Sequence, residues 1–160
     1  MIAILIVEDE PEVREAIARD LEGFERVFRI EVAGDVPDAR MAMEEVTAAG
    51  DEIGLVLCDH LLPGRRGTDF LVELNTDPVT RHIKKVLITG QAGHDDTIRA
   101  INEADLDHYV AKPWSPGDLV EVVRAELTDY VVDIGVDPLR YLEVLDAARL
   151  LEVVAERGDR

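Results

Sequence analysis

Five short apolar runs recur along the chain, and segments with helical periodicity separate them. The runs cover residues 3–7, 27–32, 53–58, 85–89 and 109–111. Four of them are nearly continuous, which is typical of central parallel strands, whereas the second alternates as an edge strand does. This alternation of strands and helices predicts an α/β fold with a parallel sheet, helices on both faces and right-handed crossovers.

Helix-start signals follow two of the runs. Asp35 and Pro37 combine a cap residue with a first-turn proline, and Ser115, Pro116 and Asp118 add a capping-box acid to the same pattern. The strand–helix pattern is complete near residue 131. The sequence therefore predicts one domain over residues 1–131 and a separate extension over residues 132–160.

The extension has the pattern of an amphipathic helix. Asp137 and Pro138 mark a helix start, and the apolar residues that follow at intervals of three are Leu139, Leu142, Leu145, Ala148, Leu151 and Val154. The segment is too short and too charged to span a membrane. We expect its apolar face to dock on its own domain, on a second copy of the chain or on a further domain.

Composition narrows the class of protein. The 160 residues carry a net charge of −18, which argues against nucleic acid as the main partner. The only cysteine, Cys58, cannot form an intrachain disulfide and favours a reducing compartment. The apolar start of the chain is too short, and too poor in basic residues, for a signal peptide or a membrane span. We expect a cytoplasmic protein.

Polar or charged residues close the apolar runs. Glu8 and Asp9 follow the first run, Asp59 follows the third, Thr89 ends the fourth and Lys112 follows the fifth. The carboxyl ends of parallel strands meet at one crevice, so these side chains should converge there. Three carboxylates, a hydroxyl and an ammonium suit a hard cation plus a phosphoryl group, with one carboxylate left as nucleophile.

Each of these residues also has a simpler interpretation. Glu8 and Asp9 could form a solvated acidic loop before a helix, and Asp59 could cap the turn after it. Thr89 could serve only in packing, and Tyr109 could be a half-buried aromatic. In this order, each at a strand end, the residues favour the cation and phosphoryl interpretation. The strand-end lysine should then pair with Asp59 before any phosphate arrives.

The same residues resemble those of a known family. The matching pattern is Glu8-Asp9-Glu10-Pro11, Asp59 followed by Pro63-Gly64, Thr89-Gly90, Tyr109 and Lys112-Pro113. Over residues 1–131 this is similar to the receiver domain of bacterial two-component response regulators. The resemblance implies a flavodoxin-like, doubly wound sheet of five parallel strands in the order 2-1-3-4-5 with five helices, followed here by the C-terminal extension.

The resemblance also assigns the phospho-acceptor and the metal. It implies that Asp59 accepts a phosphoryl group from a histidine kinase or a phosphotransfer protein. Mg²⁺ would be held by Asp9, Asp59 and the backbone carbonyl of Leu61, with Glu8 acting mainly through water. Glu8 stands where an aspartate is common in the family, and a water-mediated contact should tolerate the change.

A switch between two states is the function that the resemblance implies. Lys112 would contact the phosphate, and Thr89 and Tyr109 would be coupled switch residues. The surface formed by the fourth helix, fifth strand and fifth helix would change and control an unknown partner protein. Such a domain is not an enzyme beyond its own phosphorylation and autodephosphorylation. Leu61 and Gln91 occupy positions that tune autodephosphorylation, and the apolar Leu61 predicts a long-lived phosphoryl group.

Narrower alternatives remain open. Residues 98–103, 107–109 and 112–114 are similar to receivers fused to thioredoxin-reductase-like or kinase modules. An Mg²⁺ phosphohydrolase with an aspartate nucleophile would have a second aspartate two residues later, where this chain has Leu61. An unphosphorylated scaffold would usually lose Asp59 or Lys112. The chain could be a stand-alone receiver or the front of a longer signalling protein, and we expect a homodimer formed partly through the extension.

Overall fold

The computed structural model describes residues 1–90 and 94–158. The elements, in chain order, are β1 (Ile2–Val7), α1 (Pro11–Asp20), β2 (Phe28–Ala33), α2 (Val36–Ala48), β3 (Glu52–Asp59), the two-residue strands β4 (Leu61–Leu62) and β5 (Arg65–Arg66), α3 (Gly67–Thr76), β6 (Lys84–Thr89), α4 (His94–Glu103), β7 (His108–Ala111), α5 (Pro116–Ile134) and α6 (Ala147–Gly158). Two 3-10 helices cover Glu22–Arg26 and Pro138–Tyr141.

Five parallel strands form one sheet in the order β2-β1-β3-β6-β7. Numbered among themselves, these strands follow the predicted order 2-1-3-4-5, so the predicted fold class is confirmed. β2 lies at an edge, as its alternating pattern predicts. β7 forms the other edge and buries only Val110, so its apolar run is not that of a central strand. The pairing of β4 with β5 is a short antiparallel hairpin that the sequence patterns did not predict.

The strand β1 shows how the sheet separates two cores. Its residues are all buried, and successive side chains point to opposite faces. One core contains Ile4 and Ile6 together with residues of α1 and α5. The other contains Leu5 and Val7 together with residues of α2 and α3. Within residues 1–90 and 94–158, every helix is too short or too polar to cross a lipid bilayer.

The two predicted helix caps have different outcomes. The Asp35 side chain accepts a hydrogen bond from the Asp38 amide at 2.8 Å, as the sequence predicts for the start of α2. The capping box predicted at Ser115 is wrong, because the Ser115 side chain makes no cap hydrogen bond. Pro116 at the first position starts α5 without that bond, since its fixed φ suits a helix and it has no N–H to satisfy.

The extension does not begin with the α-helix that its pattern predicts. α5 continues to Ile134, three residues beyond the predicted domain boundary at 131, which stays a prediction. Pro138 starts a 3-10 helix, and α6 begins only at Ala147. A leucine spacing of three fits the three-residue turn of a 3-10 helix. Asp146 then caps the new helix by accepting from the Arg149 amide at 3.2 Å.

Of the three docking partners considered for the extension, the structure shows its own domain. The Tyr141 ring lies 5.3 Å from that of Phe28, and Val144, Leu145 and Leu150 belong to the core that contains β1. Hydrogen bonds join the same surfaces, from the Arg124 guanidinium to the Val144 carbonyl and from the Asp146 amide to the Thr128 hydroxyl, both at 3.2 Å. The extension therefore completes a core that the sheet and α5 leave open.

Close packing also positions the end of β3. A Cβ atom at Gly67 would lie 1.8 Å from the carbonyl oxygen of Asp59, a distance that no side chain can occupy. The Gly67 amide donates to the His60 carbonyl at 2.7 Å. The glycine thus lets α3 begin directly against the backbone of Asp59, and a larger residue would push the two apart.

We predict that Tyr141→Ala destabilises the whole domain by about 3 kcal/mol, since it removes a buried aromatic ring from the shared core. Urea unfolding followed by circular dichroism measures the loss. Leu139→Ala is the matched control, because Leu139 is 53% exposed and its truncation should cost no more than about 0.5 kcal/mol. Equal effects of the two substitutions would show that the extension does not contribute to the core.

We predict that Gly67→Ala lowers the free energy of unfolding by about 2 kcal/mol or more, because the added methyl collides with backbone and not with a movable side chain. The control is Gly23→Ala, since a Cβ at Gly23 meets no atom within 4 Å. Urea unfolding of both variants tests this. Comparable stability of the two variants would contradict the close approach of α3 to Asp59.

Candidate functional site

Three carboxylates converge at the carboxyl end of the sheet. Glu8 and Asp9 follow β1, Asp59 ends β3, and carboxylate oxygens of the three lie within 4.8 Å of one another. Parallel pairing of Val7 with Cys58 brings these strand ends side by side. Glu8 and Asp59 are buried and Asp9 is exposed. Oxygen ligands at this spacing could hold a hard cation.

Lys112 reaches into the cluster from the end of β7. Its ammonium donates to Glu8 Oε2 at 2.9 Å and lies 3.4 Å from Asp59 Oδ2. The ion pair that we expected with Asp59 is therefore present, but the shorter contact is with Glu8. The Lys112–Pro113 peptide bond is cis.

The charges at the site shift one another's pKa values. Burial raises the pKa of Glu8 above its usual value; hydrogen bonds from Lys112 and from the Glu10 amide oppose this effect, and the charge of Asp59 adds to it. Burial alone would lower the pKa of Lys112, but its bond to Glu8 and the charges of Asp59 and Glu8 outweigh burial and raise that pKa. Lys112 therefore stays cationic and stabilises the ionised form of Glu8.

The two oxygens of Asp59 have different surroundings. Oδ1 accepts a hydrogen bond from the His60 amide at 2.8 Å, which fixes the orientation of the carboxylate. Oδ2 lies on the side of Lys112. With Oδ1 bonded to the backbone amide, Oδ2 is the oxygen that could act as a nucleophile.

Thr89 and Tyr109 are connected through the backbone. Thr89 is buried at the end of β6, and the Tyr109 hydroxyl donates to the Thr89 carbonyl at 3.2 Å. Tyr109 is 38% exposed, as a half-buried aromatic should be. A Cβ at Gly90 would make only ordinary contacts with Lys112, at 3.5 Å or more.

Other predicted residues lie around this centre. Leu61 is 54% exposed in β4, two residues after Asp59. Gln91 lies outside the described residues. The Trp114 indole N–H donates to Asp20 at 2.8 Å and so is tied to the end of α1. The sequence analysis did not identify Gly67 as part of the site. A glycine at the start of a helix can be present for several reasons, so its position alone does not reveal the close approach to Asp59.

Comparison with known proteins agrees with the resemblance. The model of the family described as response regulator receiver domain matches residues 4–124. The hydrogenase transcriptional regulatory protein HoxA of Bradyrhizobium diazoefficiens is 34% identical over 130 residues, which are 79% of this chain and 24% of that protein. The phosphate regulon transcriptional regulatory protein PhoB of Escherichia coli is 33% identical over 124 residues, or 76% of this chain and 50% of that protein. The chain thus spans about a quarter to a half of these relatives.

Solved structures lead to the same family. The CheY-like receiver domain from Methanospirillum hungatei superposes with a TM-score of 0.71 at 26% identity, covering 83% of this chain and 98% of that one. A response regulator described as putative, from Chloroflexus aurantiacus, gives a TM-score of 0.65 at 26% identity, with 79% and 97% covered. With the sheet order and the family match, these findings show that the chain belongs to the response regulator receiver domains, the signalling switches of two-component systems.

Proposed function

We propose that Asp59 accepts a phosphoryl group from a histidine kinase or a phosphotransfer protein. The convergence of Glu8, Asp9, Asp59 and Lys112 at one strand edge is the observation that supports this most strongly. An Asp59 oxygen forms the bond to phosphorus while the bond from phosphorus to the donor imidazole breaks. The imidazole nitrogen keeps the electron pair, and the product is an acyl phosphate.

The same proposal includes Mg²⁺, since the donor set consists of carboxylate oxygens at suitable spacing. Asp9 makes no hydrogen bond or ion pair within residues 1–90 and 94–158, so its carboxylate is open to a cation. Asp59 and the Leu61 carbonyl would complete the protein ligands, with Glu8 acting through water. When bound, the metal supplies positive charge that screens the nucleophile from the phosphoryl group.

Phosphorylation would add about −1.5 to −2 of charge to this acidic site. Lys112 is placed to offset that charge, because its ammonium already lies 3.4 Å from Asp59 Oδ2. The buried hydroxyl of Thr89 would donate to a phosphoryl oxygen. Shifting a two-state equilibrium from rare to dominant takes roughly 5.5 kcal/mol, and charged contacts to one phosphoryl group can supply most of it.

The response would reach the surface through Tyr109. Its hydroxyl is bonded to the Thr89 carbonyl, so a movement of Thr89 toward the phosphoryl group disturbs that bond and lets the ring turn inward. Tyr109 and Trp114 both line a cavity of about 520 Å³ between β7 and α5. The face formed by α4, β7 and α5 would change shape there and control a partner protein.

Phosphohydrolase activity is the less favoured alternative. Leu61, an exposed apolar side chain, occupies the position where the second aspartate of such an enzyme would stand. Any catalysis by this chain would therefore be limited to its own phosphorylation from phosphodonors and to autodephosphorylation.

The names of two relatives bear on the downstream partner. The names of the relatives HoxA and PhoB assign transcriptional regulation to proteins longer than this chain, so the chain could be the receiver part of a larger signalling protein. The net charge of −18 argues against direct binding of nucleic acid by this domain.

We place it in the cytoplasm, in keeping with its single buried thiol, Cys58. The narrower resemblance to receivers fused to thioredoxin-reductase-like or kinase modules stays a prediction.

We predict that acetyl phosphate with Mg²⁺ labels the wild-type protein with one phosphoryl group and that Asp59→Asn abolishes the label without loss of fold. Intact-mass spectrometry measures the label, and Trp114 fluorescence in beryllofluoride reports the occupied state. The control is Asp77→Asn, because the exposed Asp77 only caps a turn by accepting from the Val79 amide. Labelling of Asp59→Asn at the wild-type level would exclude Asp59 as acceptor.

We predict a phosphoryl half-life of minutes or longer, because Leu61 offers no polar group to orient an attacking water. Leu61→Asn should shorten the half-life several-fold, as followed by loss of the label after removal of the phosphodonor. Leu139→Asn, an equally exposed leucine in the extension, should leave it unchanged. A wild-type half-life of seconds would refute the prediction.

We predict a homodimer formed partly through α6, whose Leu151 is 51% exposed although Leu150 beside it is fully buried. Sedimentation equilibrium should give the mass of two chains, and Leu151→Glu should weaken association by placing charge in the interface. Met41→Glu on the exposed face of α2 is the control. A monomer both with and without beryllofluoride would count against the dimer.

A further inference from the structure

Both carboxylate oxygens of Glu8 already have partners. Oε1 accepts from the Glu10 backbone amide at 3.1 Å, and Oε2 accepts from the Lys112 ammonium at 2.9 Å. The Glu8 side chain is 1% exposed. Asp9 beside it is exposed and has no such partner within residues 1–90 and 94–158. The two neighbouring carboxylates therefore differ: that of Asp9 is exposed to solvent, and that of Glu8 accepts a hydrogen bond from Lys112.

Lys112 is held closer to Glu8 than to Asp59. The contact with Glu8 is a charge-assisted hydrogen bond of 2.9 Å, whereas the distance to Asp59 Oδ2 is 3.4 Å. Both contacts join an ammonium to a carboxylate, so the shorter distance identifies Glu8 as the stronger partner of Lys112. Since the His60 amide already binds Asp59 Oδ1, Oδ2 is the oxygen that must stay available for attack.

A lysine bonded tightly to Oδ2 would compete with phosphorus for its lone pairs. Glu8 weakens that competition by offering the ammonium a second carboxylate at a shorter distance. Once Asp59 carries a phosphoryl group of about −1.5 to −2 charge, that group outcompetes a single carboxylate for the lysine. The ammonium then has only a short distance to move.

We propose that Glu8 is a positioning residue that draws Lys112 toward itself, so that the ion pair of Lys112 with Asp59 Oδ2 stays the longer one while Asp59 is unmodified, and that it releases Lys112 to the phosphoryl oxygens when the acyl phosphate forms. This inference rests on the proposed function of Asp59 and specifies how the site is kept ready. Glu8 acts through Lys112, in addition to any water-mediated contact with a cation.

The test is a double-mutant cycle on the full chain at saturating Mg²⁺. Glu8→Gln keeps the shape and removes the charge, so Lys112 should turn to Asp59 and labelling by acetyl phosphate should slow by about tenfold. In a Lys112→Met background there is no lysine to hold, and Glu8→Gln should change the rate by less than about twofold. The matched control is Glu10→Gln, which removes the same charge from an exposed side chain two residues away.

Equal slowing by Glu8→Gln in both backgrounds would overturn the inference, because Glu8 would then act without Lys112. The proposed function fails in a different way, namely by absence of any label on Asp59 in the wild-type protein. The two failures are therefore distinguishable.

A second measurement needs neither metal nor phosphodonor. The chain has three lysines, Lys84, Lys85 and Lys112, so ¹⁵N spectra of the lysine ammonium groups are simple to assign with Lys112→Met. The ammonium of Lys112 should be protected from hydrogen exchange in the wild-type protein and in Glu10→Gln. Its chemical shift should change in Glu8→Gln, because the ammonium then moves from Glu8 to Asp59. An unchanged Lys112 signal in Glu8→Gln would overturn the inference even if Lys112→Met cannot be labelled.

Discussion

Negative charge is concentrated at one edge of the sheet, where three carboxylates lie within 4.8 Å of one another. Parallel pairing of β1 with β3 forces Glu8 and Asp9 beside Asp59, and burial makes that arrangement costly. The ammonium of Lys112 offsets part of the cost through its contacts with Glu8 and Asp59. A site balanced in this way responds strongly to any further charge, which is the property a phosphorylation switch requires.

The packing around the site differs between its two sides. Gly67 lets α3 begin against the backbone of Asp59, so the end of β3 is closely packed on this side. On the other side, Thr89 is bonded through its carbonyl to the exposed Tyr109. The site is thus closely packed toward α3 and connected by a hydrogen bond to a partly exposed side chain of β7.

The extension after α5 adds buried side chains to the core between the sheet and its helices. Tyr141 packs on Phe28 and Leu150 is fully buried, so residues after α5 contribute to the central core. The face that contains Phe28 is consequently covered by the chain itself. The opposite side, where Ile98 and Ile101 of α4 and Tyr109 of β7 are exposed, remains available to partners.

Local patterns in the sequence determined much of this protein: the five sheet strands within a residue or so, the cap at Asp35 and the order of polar residues at strand ends. Those features depend on periodicity and on neighbours in the chain, which one sequence contains. Only the tertiary structure decided that Lys112 bonds more closely to Glu8 than to Asp59, and that Tyr141 docks on Phe28. Lys112 and Glu8, like Tyr141 and Phe28, are about a hundred positions apart, and no pattern in the sequence ranks Glu8 above Asp59 as the partner of Lys112.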